Sequence, residues 1–240
     1  MRLLPILAES LLQLSILLPF AWLARRSSPR NNDVYVYLFI VLFLLDSVLI
    51  RLLNIRLFDG QQWNWGGKTA SLLWALAFLY TTRIITKREA GFTPSVQQRQ
   101  SVITIMAVLL LLRFALRLLF QGTGGGYRLE TFLYEATLPG LSEEIVFRGI
   151  LLSLLNRVFT RNLTWLNTRF GWGLILTSLL FGAVHGLSIN PSRIPDFNSQ
   201  RFLMTGALGF VMGLLKEKSQ SLLPSIVFHN LWNLLAYWGR

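Results

Sequence analysis

The feature that most constrains this sequence is a series of apolar runs, each near the length of a membrane-spanning helix. A helix of about 20 apolar residues crosses the hydrocarbon core of a bilayer. Short polar stretches, several of them rich in glycine or proline, separate the runs as loops would. The runs cover residues 3–24, 34–50, 69–85, 102–120, 131–155, 171–189, 202–215 and 222–238. We therefore predict an all-α polytopic membrane helix bundle of about eight transmembrane helices.

The composition supports a membrane protein and excludes several classes of function. Of the 240 residues, 53% are hydrophobic and 14% are charged, whereas a charged fraction of about 25% is usual in soluble domains. In a soluble protein the net charge of +12 would indicate nucleic acid, but here the basic residues lie in turns, where they contact lipid headgroups. We expect no nucleic-acid partner. Cysteine is absent, which excludes disulfides, thiolate metal sites and a cysteine nucleophile.

The chain divides into two halves of one predicted bundle. Residues 1–121 hold the first four spans, residues 127–240 hold the last four as a protease-like core, and a glycine-rich linker at 122–126 joins them. No small-residue cleavage site follows the first run, so we expect a retained span and not a signal peptide. The loops that precede spans two, four, six and eight carry a modest excess of Lys and Arg. This excess predicts that both termini lie outside the cytoplasm.

The fifth run contains two adjacent glutamates and an arginine, which are costly at membrane depth and therefore indicate function. Arg148 follows Glu144 by four residues, a helical spacing that lets the two side chains neutralise each other. Glu143 is then left without a partner and points about 100° away, toward the face that carries Phe147. Alternatively, both glutamates are structural ion-pair partners for arginines. Pro139 predicts a bend, after which the glutamates begin a fresh helical turn.

The two histidines of the chain lie inside predicted spans. His185 follows Phe181 by four residues in span six, and Asn233 follows His229 by four residues in span eight. Each pair therefore shares one face of its helix. Together with Glu143, these groups can converge in the interior of one bundle. Alternatively, each histidine is a satisfied core residue and Asn233 is an amide that packs helices.

This set of side chains suits the activation of water. A desolvated glutamate can take a proton from water as a general base, and imidazole or amide groups can donate hydrogen bonds to an oxyanion. Alternatively, Glu143, His185 and His229 could bind zinc with water in the fourth position. Asn is a poor zinc ligand, and neither histidine lies beside a carboxylate in the sequence that would orient its ring. We therefore favour no metal cofactor and keep zinc as the alternative.

The three motifs resemble those of the CPBP family of intramembrane proteases, also called the ABI family or type II CAAX prenyl endopeptidases. The pattern of that family is EExxxR, then FxxxH, then HxxxN or HxxxD. It matches here at Glu143, Glu144 and Arg148, at Phe181 and His185, and at His229 and Asn233. The resemblance covers roughly residues 131–238, while the first half matches only in being hydrophobic spans.

The resemblance implies an eight-helix membrane bundle in which Glu143 activates water with His185 as its partner. It implies that His229 and Asn233 stabilise the oxyanion. Structural support would come from Glu144, Arg148 and Phe181.

From the residues and the resemblance together, we expect an intramembrane endopeptidase of the CAAX-protease type, either glutamic or metal-dependent. Its partners would be the lipid bilayer and a membrane-associated protein or peptide substrate. We expect a multi-pass protein of the cell membrane of a prokaryote. The alternatives are a membrane scaffold or bacteriocin self-immunity protein, and a proton-coupled transporter.

Overall fold

The apolar runs fold into helices that pack side by side. The computed structural model describes residues 3–27, 32–53, 61–93, 95–121, 125–190, 192 and 194–238. Its helices are α1 (Leu3–Ser15), α2 (Leu18–Ser27), α3 (Asp33–Leu52), α4 (Trp65–Thr81), α5 (Lys87–Ala90), α6 (Arg99–Gln121), α7 (Leu129–Glu135), α8 (Leu138–Glu144), a π-helix (Ile145–Leu151), α9 (Leu152–Val158), α10 (Trp172–Gly186), α11 (Ser199–Ser219) and α12 (Leu223–Tyr237). Two antiparallel hairpins are formed by β1 (Leu163–Trp165) with β2 (Thr168–Phe170) and by β3 (Leu187–Ile189) with β4 (Pro195–Phe197).

Two of the described helices, α3 and α6, are long and apolar enough to cross a membrane. The bent pair α1 and α2 provides a third span if its two parts, which meet at 42°, are counted together. Helix α10 is apolar but has only 15 residues. The described residues therefore form a mostly helical protein with two or three clear membrane spans. The number of about eight transmembrane helices stays a prediction.

Burial differs sharply between the outer and the inner helices. Helix α6 exposes large apolar side chains over much of its length, including Leu111, Leu119 and Phe120. By contrast, every residue of the π-helix is buried, and so are most residues of α9. An apolar surface as extensive as that of α6 fits contact with lipid tails. The core of the bundle thus lies around the π-helix.

Helices α10 and α11 approach closely because small residues face each other along their contact. A Cβ atom placed on Gly182 would lie 2.7 Å from the carbonyl oxygen of Phe202, which is too close for any side chain. Gly206 lies opposite, where an added Cβ atom would be 3.8 Å from the Cα atom of Gly182. Small residues of this kind let helix backbones pack tightly in membranes. The contact fixes the end of α10, which carries His185, against α11.

The fifth run is not one bent helix, as the sequence predicted, but four shorter helical segments. The chain breaks at Ala136 and Thr137, and Pro139 stands in the first turn of α8. Proline is favourable there because the N–H groups of a first turn have no partner within the helix. The two glutamates therefore end α8, and Arg148 lies in the π-helix that follows. A single π turn inside a helical run is frequent at functional sites.

The N-terminal half contacts the loop that follows α10. The sequence predicted helix up to residue 189, but α10 ends at Gly186 and the next residues form β3. Glu9 of α1 accepts the N–H of Ile189 at 2.9 Å, and Gln13 donates to the carbonyl oxygen of Leu187 at 2.9 Å. The two halves therefore pack against each other. The division at the linker stays a prediction, since residues 122–124 lie outside the described part of the chain.

Candidate active site

The break between α7 and α8 is held by one side chain of α12. Asn230 donates from Nδ2 to the carbonyl oxygens of Ala136 and Thr137, at 2.9 and 3.3 Å. Its Oδ1 atom accepts the N–H of Gly140 at 2.8 Å, and a Cβ atom on Gly140 would collide with that oxygen. Backbone groups freed by a helix break at membrane depth need such partners, because no water is available to them. Asn230 thus sets the start of the helix that carries the glutamates.

Glu144 is fully buried and is held from two sides. Arg148 donates from Nη1 to its Oε1 atom at 3.2 Å, so the contact predicted from the sequence spacing is present. The Nδ1 atom of His229 lies 2.7 Å from the same oxygen. Arg148 also donates from Nη2 to the carbonyl oxygen of Gly209 at 2.9 Å, and its guanidinium lies 4.5 Å from the ring centre of Phe181. The contacts of Glu144 and Arg148 therefore join α8 and the π-helix to α10, α11 and α12.

Glu143 has a partner that the sequence analysis did not predict. Lys68 of α4 forms an ion pair with its Oε1 atom, and the two side chains are only 14% and 12% exposed. The expectation that Glu143 has no partner is therefore wrong. Helix α4 begins at Trp65, before the predicted span, and this carries Lys68 into the bundle. The other carboxylate oxygen, Oε2, is buried and accepts no hydrogen bond from the described residues.

Both histidine rings are oriented through their Nδ1 atoms. Nδ1 of His185 lies 2.8 Å from the carbonyl oxygen of Phe181. A carbonyl oxygen only accepts, so Nδ1 carries the hydrogen and the Nε2 atom of the neutral ring is an acceptor. In His229, Nδ1 faces the carboxylate of Glu144 and therefore carries a hydrogen as well. Each Nε2 atom lies 3.9 Å from Oε2 of Glu143, so these three predicted residues do converge.

Asn233 is held by a carboxylate that the sequence analysis missed. Its Nδ2 atom donates to Oε2 of Glu135 at 2.8 Å. Glu135 is 2% exposed and ends α7, directly before the helix break. Because Nδ2 carries two hydrogens, a second one remains for another acceptor. Asn233 therefore presents an oriented amide to the same cavity as Glu143.

These groups line a cavity of about 860 Å³, called the Glu143 cavity below. Its polar lining also includes Lys68 and Arg201, and its walls include the rings of Trp63 and Tyr134. Those two rings stack with their centres 5.1 Å apart. A cavity of several hundred cubic ångströms with aromatic walls and a few converging polar groups is typical of a binding site. Its size is sufficient for a segment of peptide together with water.

The donor atoms around Glu143 Oε2 test the zinc alternative. Zinc bonds of about 2.0–2.2 Å in a tetrahedron place two ligand atoms roughly 3.3–3.6 Å apart. The two Nε2 atoms lie farther than this from Oε2, at 3.9 Å, and within the described ranges no group of three or more His, Cys, Asp or Glu residues could hold a metal ion. The arrangement therefore fits zinc poorly. However, the carboxylate of Glu144 at Nδ1 of His229 is the outer partner that metal-binding histidines usually have, although no carboxylate lies beside His229 in the sequence.

Comparison with known proteins covers the half of the chain that carries the motifs. Residues 126–235 match the family described as type II CAAX prenyl endopeptidase Rce1-like. The match covers slightly less than half of the chain and supports its assignment to that family. No curated protein and no solved structure matches the chain significantly. The resemblance predicted from the three motifs is thus confirmed, and membership supports peptidase activity and an integral membrane location.

The residues that the sequence analysis missed had a visible signal. Glu135 is a carboxylate inside an apolar run, and Lys68 is a cation at the edge of one. Charged residues at membrane depth are functional candidates by default, so both could have been singled out. Asn230 directly follows His229, but nothing in the sequence shows that a helix break needs it. Lys68 also lies outside the family match, which begins at residue 126.

Proposed function

We propose that this protein is an intramembrane endopeptidase of the CAAX-protease type in which Glu143 activates the water that attacks a peptide bond. The observation that carries the proposal is the position of Glu143 Oε2, which lies 3.9 Å from the Nε2 atom of each histidine. A water molecule among these three atoms would be within hydrogen-bond distance of each. Its proton passes to Oε2, because Lys68 holds Oε1.

The two histidines have different roles in this proposal. His229 faces the carboxylate of Glu144, which stabilises a positively charged ring. Protonated His229 therefore donates from Nε2 to the oxyanion that forms during attack. His185 faces a carbonyl oxygen, which gives weaker support to a positive charge, so it stays an acceptor and orients the water. The second amide hydrogen of Asn233 is the other donor to the oxyanion.

The reaction balances with water as the only co-substrate. The water oxygen bonds to the carbonyl carbon of the substrate while Glu143 takes one water proton. The tetrahedral intermediate then collapses, the C–N bond breaks, and Glu143 returns the proton to the leaving amine. The products are a new carboxyl terminus and a new amine, and Glu143 ends in its ionised form beside Lys68.

The position of the cavity supports a membrane-associated peptide as the substrate. Its lining comes from residues near the start of α4, the start of α11 and the end of α12. These helix ends lie at one end of the bundle, where Trp63 is the kind of aromatic residue that favours the membrane interface. In this proposal, the scissile bond is cleaved near the membrane surface.

The loops predicted to be cytoplasmic lie together at the opposite end. Asn32 donates to the carbonyl oxygen of Arg157 at 3.2 Å, and the N–H of Gln97 donates to the carbonyl oxygen of Ser219 at 2.8 Å. The first bond joins the loops before spans two and six, the second joins the loops before spans four and eight, and the ion pair of Arg157 with Glu89 links the two sets. If that basic end faces the cytoplasm of a prokaryote, the Glu143 cavity opens on the outer side of the cell membrane.

The test is cleavage of a membrane peptide by the full-length chain in lipid vesicles. Glu143→Gln keeps the shape of the side chain and removes the base, so turnover should fall by about 10²- to 10⁴-fold. Glu130→Gln is the matched control, since that carboxylate accepts the N–H groups of Gln62 and Trp63 near the cavity at 3.0 and 3.1 Å. Wild-type turnover by Glu143→Gln would refute the proposal. A wild-type chain that binds such peptides without cleaving them would instead favour a scaffold or immunity protein.

The metal-free mechanism is part of the proposal and has a separate test. The poor fit of the donor atoms to zinc and the ion pair between Lys68 and Glu143 support it. Elemental analysis of the active chain should show no stoichiometric zinc, and chelators should leave turnover unchanged. Zinc at one atom per chain, with activity lost on its removal and restored on its return, would establish the metal-dependent alternative.

A further inference from the structure

A second cavity lies at the other end of the bundle and takes no part in the proposed reaction. It measures about 720 Å³ and is lined by polar residues from the start of α6, the loop after α9, the β1–β2 hairpin and the end of α11. Four of the lining residues are cations, namely Arg88, Arg161, Arg169 and Lys218. We call it the basic cavity. Among the described lining residues, these four cations outnumber the single carboxylate, Glu217.

The only carboxylate among the described lining residues is already neutralised. Glu217 accepts from Nη1 of Arg161 at 2.8 Å and lies 3.3 Å from the Nζ atom of Lys216. Asn156 donates to the same carboxylate at 2.8 Å. The charges of Arg88, Arg169 and Lys218 are therefore left without compensation by a carboxylate of the described residues.

Lys218 is the strongest sign that the cavity takes an anion. It is 2% exposed, and its Nζ atom donates to neutral oxygens, the carbonyl of Leu166 at 2.6 Å and the hydroxyl of Thr168 at 3.5 Å. A buried cation without an opposite charge is unfavourable, and its cost falls when an anion comes close. The arginines at the rim, Arg88 and Arg169, are exposed and can close around such an anion.

We propose that the basic cavity binds the phosphate headgroup of an anionic phospholipid. A lipid is favoured over free phosphate because the hairpin at the cavity exposes large apolar side chains, with Trp165 and Leu166 50% and 47% exposed. Exposed aromatic and apolar groups beside basic residues are typical of the membrane interface. Basic pockets between helix ends bind anionic headgroups in other membrane proteins. The inference is independent of peptidase activity.

The test measures lipid binding to the full-length chain in detergent by native mass spectrometry. The probes are phosphatidylglycerol and phosphatidylcholine. The variant Arg88→Gln/Arg169→Gln changes two exposed residues, so the fold should persist, which a thermal melt checks. Binding of phosphatidylglycerol should weaken by about tenfold or more, and binding of phosphatidylcholine should not change. The matched control is Arg83→Gln/Arg99→Gln, which removes the same charge from exposed residues that do not line the cavity.

Three outcomes would overturn the proposal. Equal weakening in the control pair would show that diffuse charge, and not the cavity, attracts the lipid. Equal binding of both lipids by the wild-type chain would show that the headgroup charge is not recognised. Displacement of phosphatidylglycerol by millimolar inorganic phosphate, without any preference between lipids, would assign the cavity to free phosphate.

Discussion

The two cavities of this bundle differ in how their charges are balanced. At the Glu143 cavity the two adjacent glutamates are each paired with a cation, Glu143 with Lys68 and Glu144 with Arg148. In the basic cavity, four cations face one carboxylate that is already paired. A balanced set keeps a reactive carboxylate ionised in a low dielectric, whereas an excess of one sign attracts a ligand of the other.

The comparison shows that charged residues in a membrane protein need not share one purpose. Aromatic rings and two imidazoles stand beside the balanced set, which supports chemistry on a bound peptide. Amides and arginines stand beside the unbalanced set, which supports recognition of an anion. Substitutions at the two ends of the bundle should therefore differ in what they change, either turnover and core stability or lipid binding.

The largest effect on stability should come from the buried ion pair. Arg148→Ala leaves Glu144 fully buried with one charge partner removed, which typically costs about 3–5 kcal/mol. Arg157→Ala is the control at the basic end, where the pair with Glu89 is partly exposed and worth about 0.2–1 kcal/mol. Denaturant unfolding of both variants in the same detergent measures the difference. Equal losses would mean that Arg148 is not held as tightly as its contacts indicate.

The next effect should appear in turnover and not in stability. Asn233→Ala removes the proposed oxyanion donor, so kcat should fall by about 10²- to 10³-fold with little change in KM. Steady-state kinetics on a membrane peptide measures both constants. Asn233→Asp should be at least as damaging, because it places a second carboxylate beside Glu135. A variant Asn233→Ala with wild-type kcat would show that this face of α12 only packs.

A smaller effect on turnover should come from Lys68, which lies outside the residues that match the family. Lys68→Met removes a charged hydrogen-bond donor from Glu143, so kcat should fall by about ten- to a hundredfold while KM changes little. Lys68→Arg keeps the charge and should recover part of the loss. Lys87→Met is the control, because Lys87 lies at the basic end over the ring of Tyr80. If Lys68→Arg is as inactive as Lys68→Met, position and not charge is what Glu143 requires.

Much of the site could be predicted from the sequence because its motifs lie on single helices. A spacing of four residues fixes which side chains share a face, and so Glu144 with Arg148 and His185 with Phe181 meet as predicted. The convergence of Glu143 with both histidines was also predicted from the sequence, because polar residues within membrane spans face the interior of the bundle. Each of these inferences depends on local geometry or on burial alone.

The remaining features depend on contacts between helices, which spacing does not encode. The partner of Glu143 is Lys68, 75 residues away, and the partner of Asn233 is Glu135, 98 residues away. The break before α8 is stable only because Asn230 satisfies its backbone groups from another helix. A proline in an apolar run predicts a bend, but whether the helix bends or restarts is decided by such partners.

The smallest effect on stability should come from the partly exposed ion pair of Glu89 and Arg157 at the basic end, and it should depend on pH. Partial burial raises the pKa of Glu89, but hydrogen bonds from Arg157 and Thr86 lower it more, so its pKa lies below the ordinary value. A carboxyl group of this kind stabilises the fold above its unfolded pKa of about 4.3 and loses that contribution as the pH falls through its folded pKa. Glu89→Gln should therefore lower the thermal midpoint at neutral pH by at most about 3 °C. The difference from the wild type should disappear in acid.

The variant Glu89→Gln distinguishes the contribution of the ion pair with Arg157 from the contribution of the α5 cap. Glu89 accepts the N–H of Thr86 at 2.8 Å and completes the cap of α5, and a glutamine side chain can still make that bond. A difference in thermal midpoint that shrinks between neutral pH and acid is then due to the ion pair with Arg157. If Glu89→Gln melts at the same temperature as the wild type at every pH, the cap, and not the charge, is what Glu89 contributes. In that case the exposed pair would give no support to the contrast with the buried pair of Arg148 and Glu144.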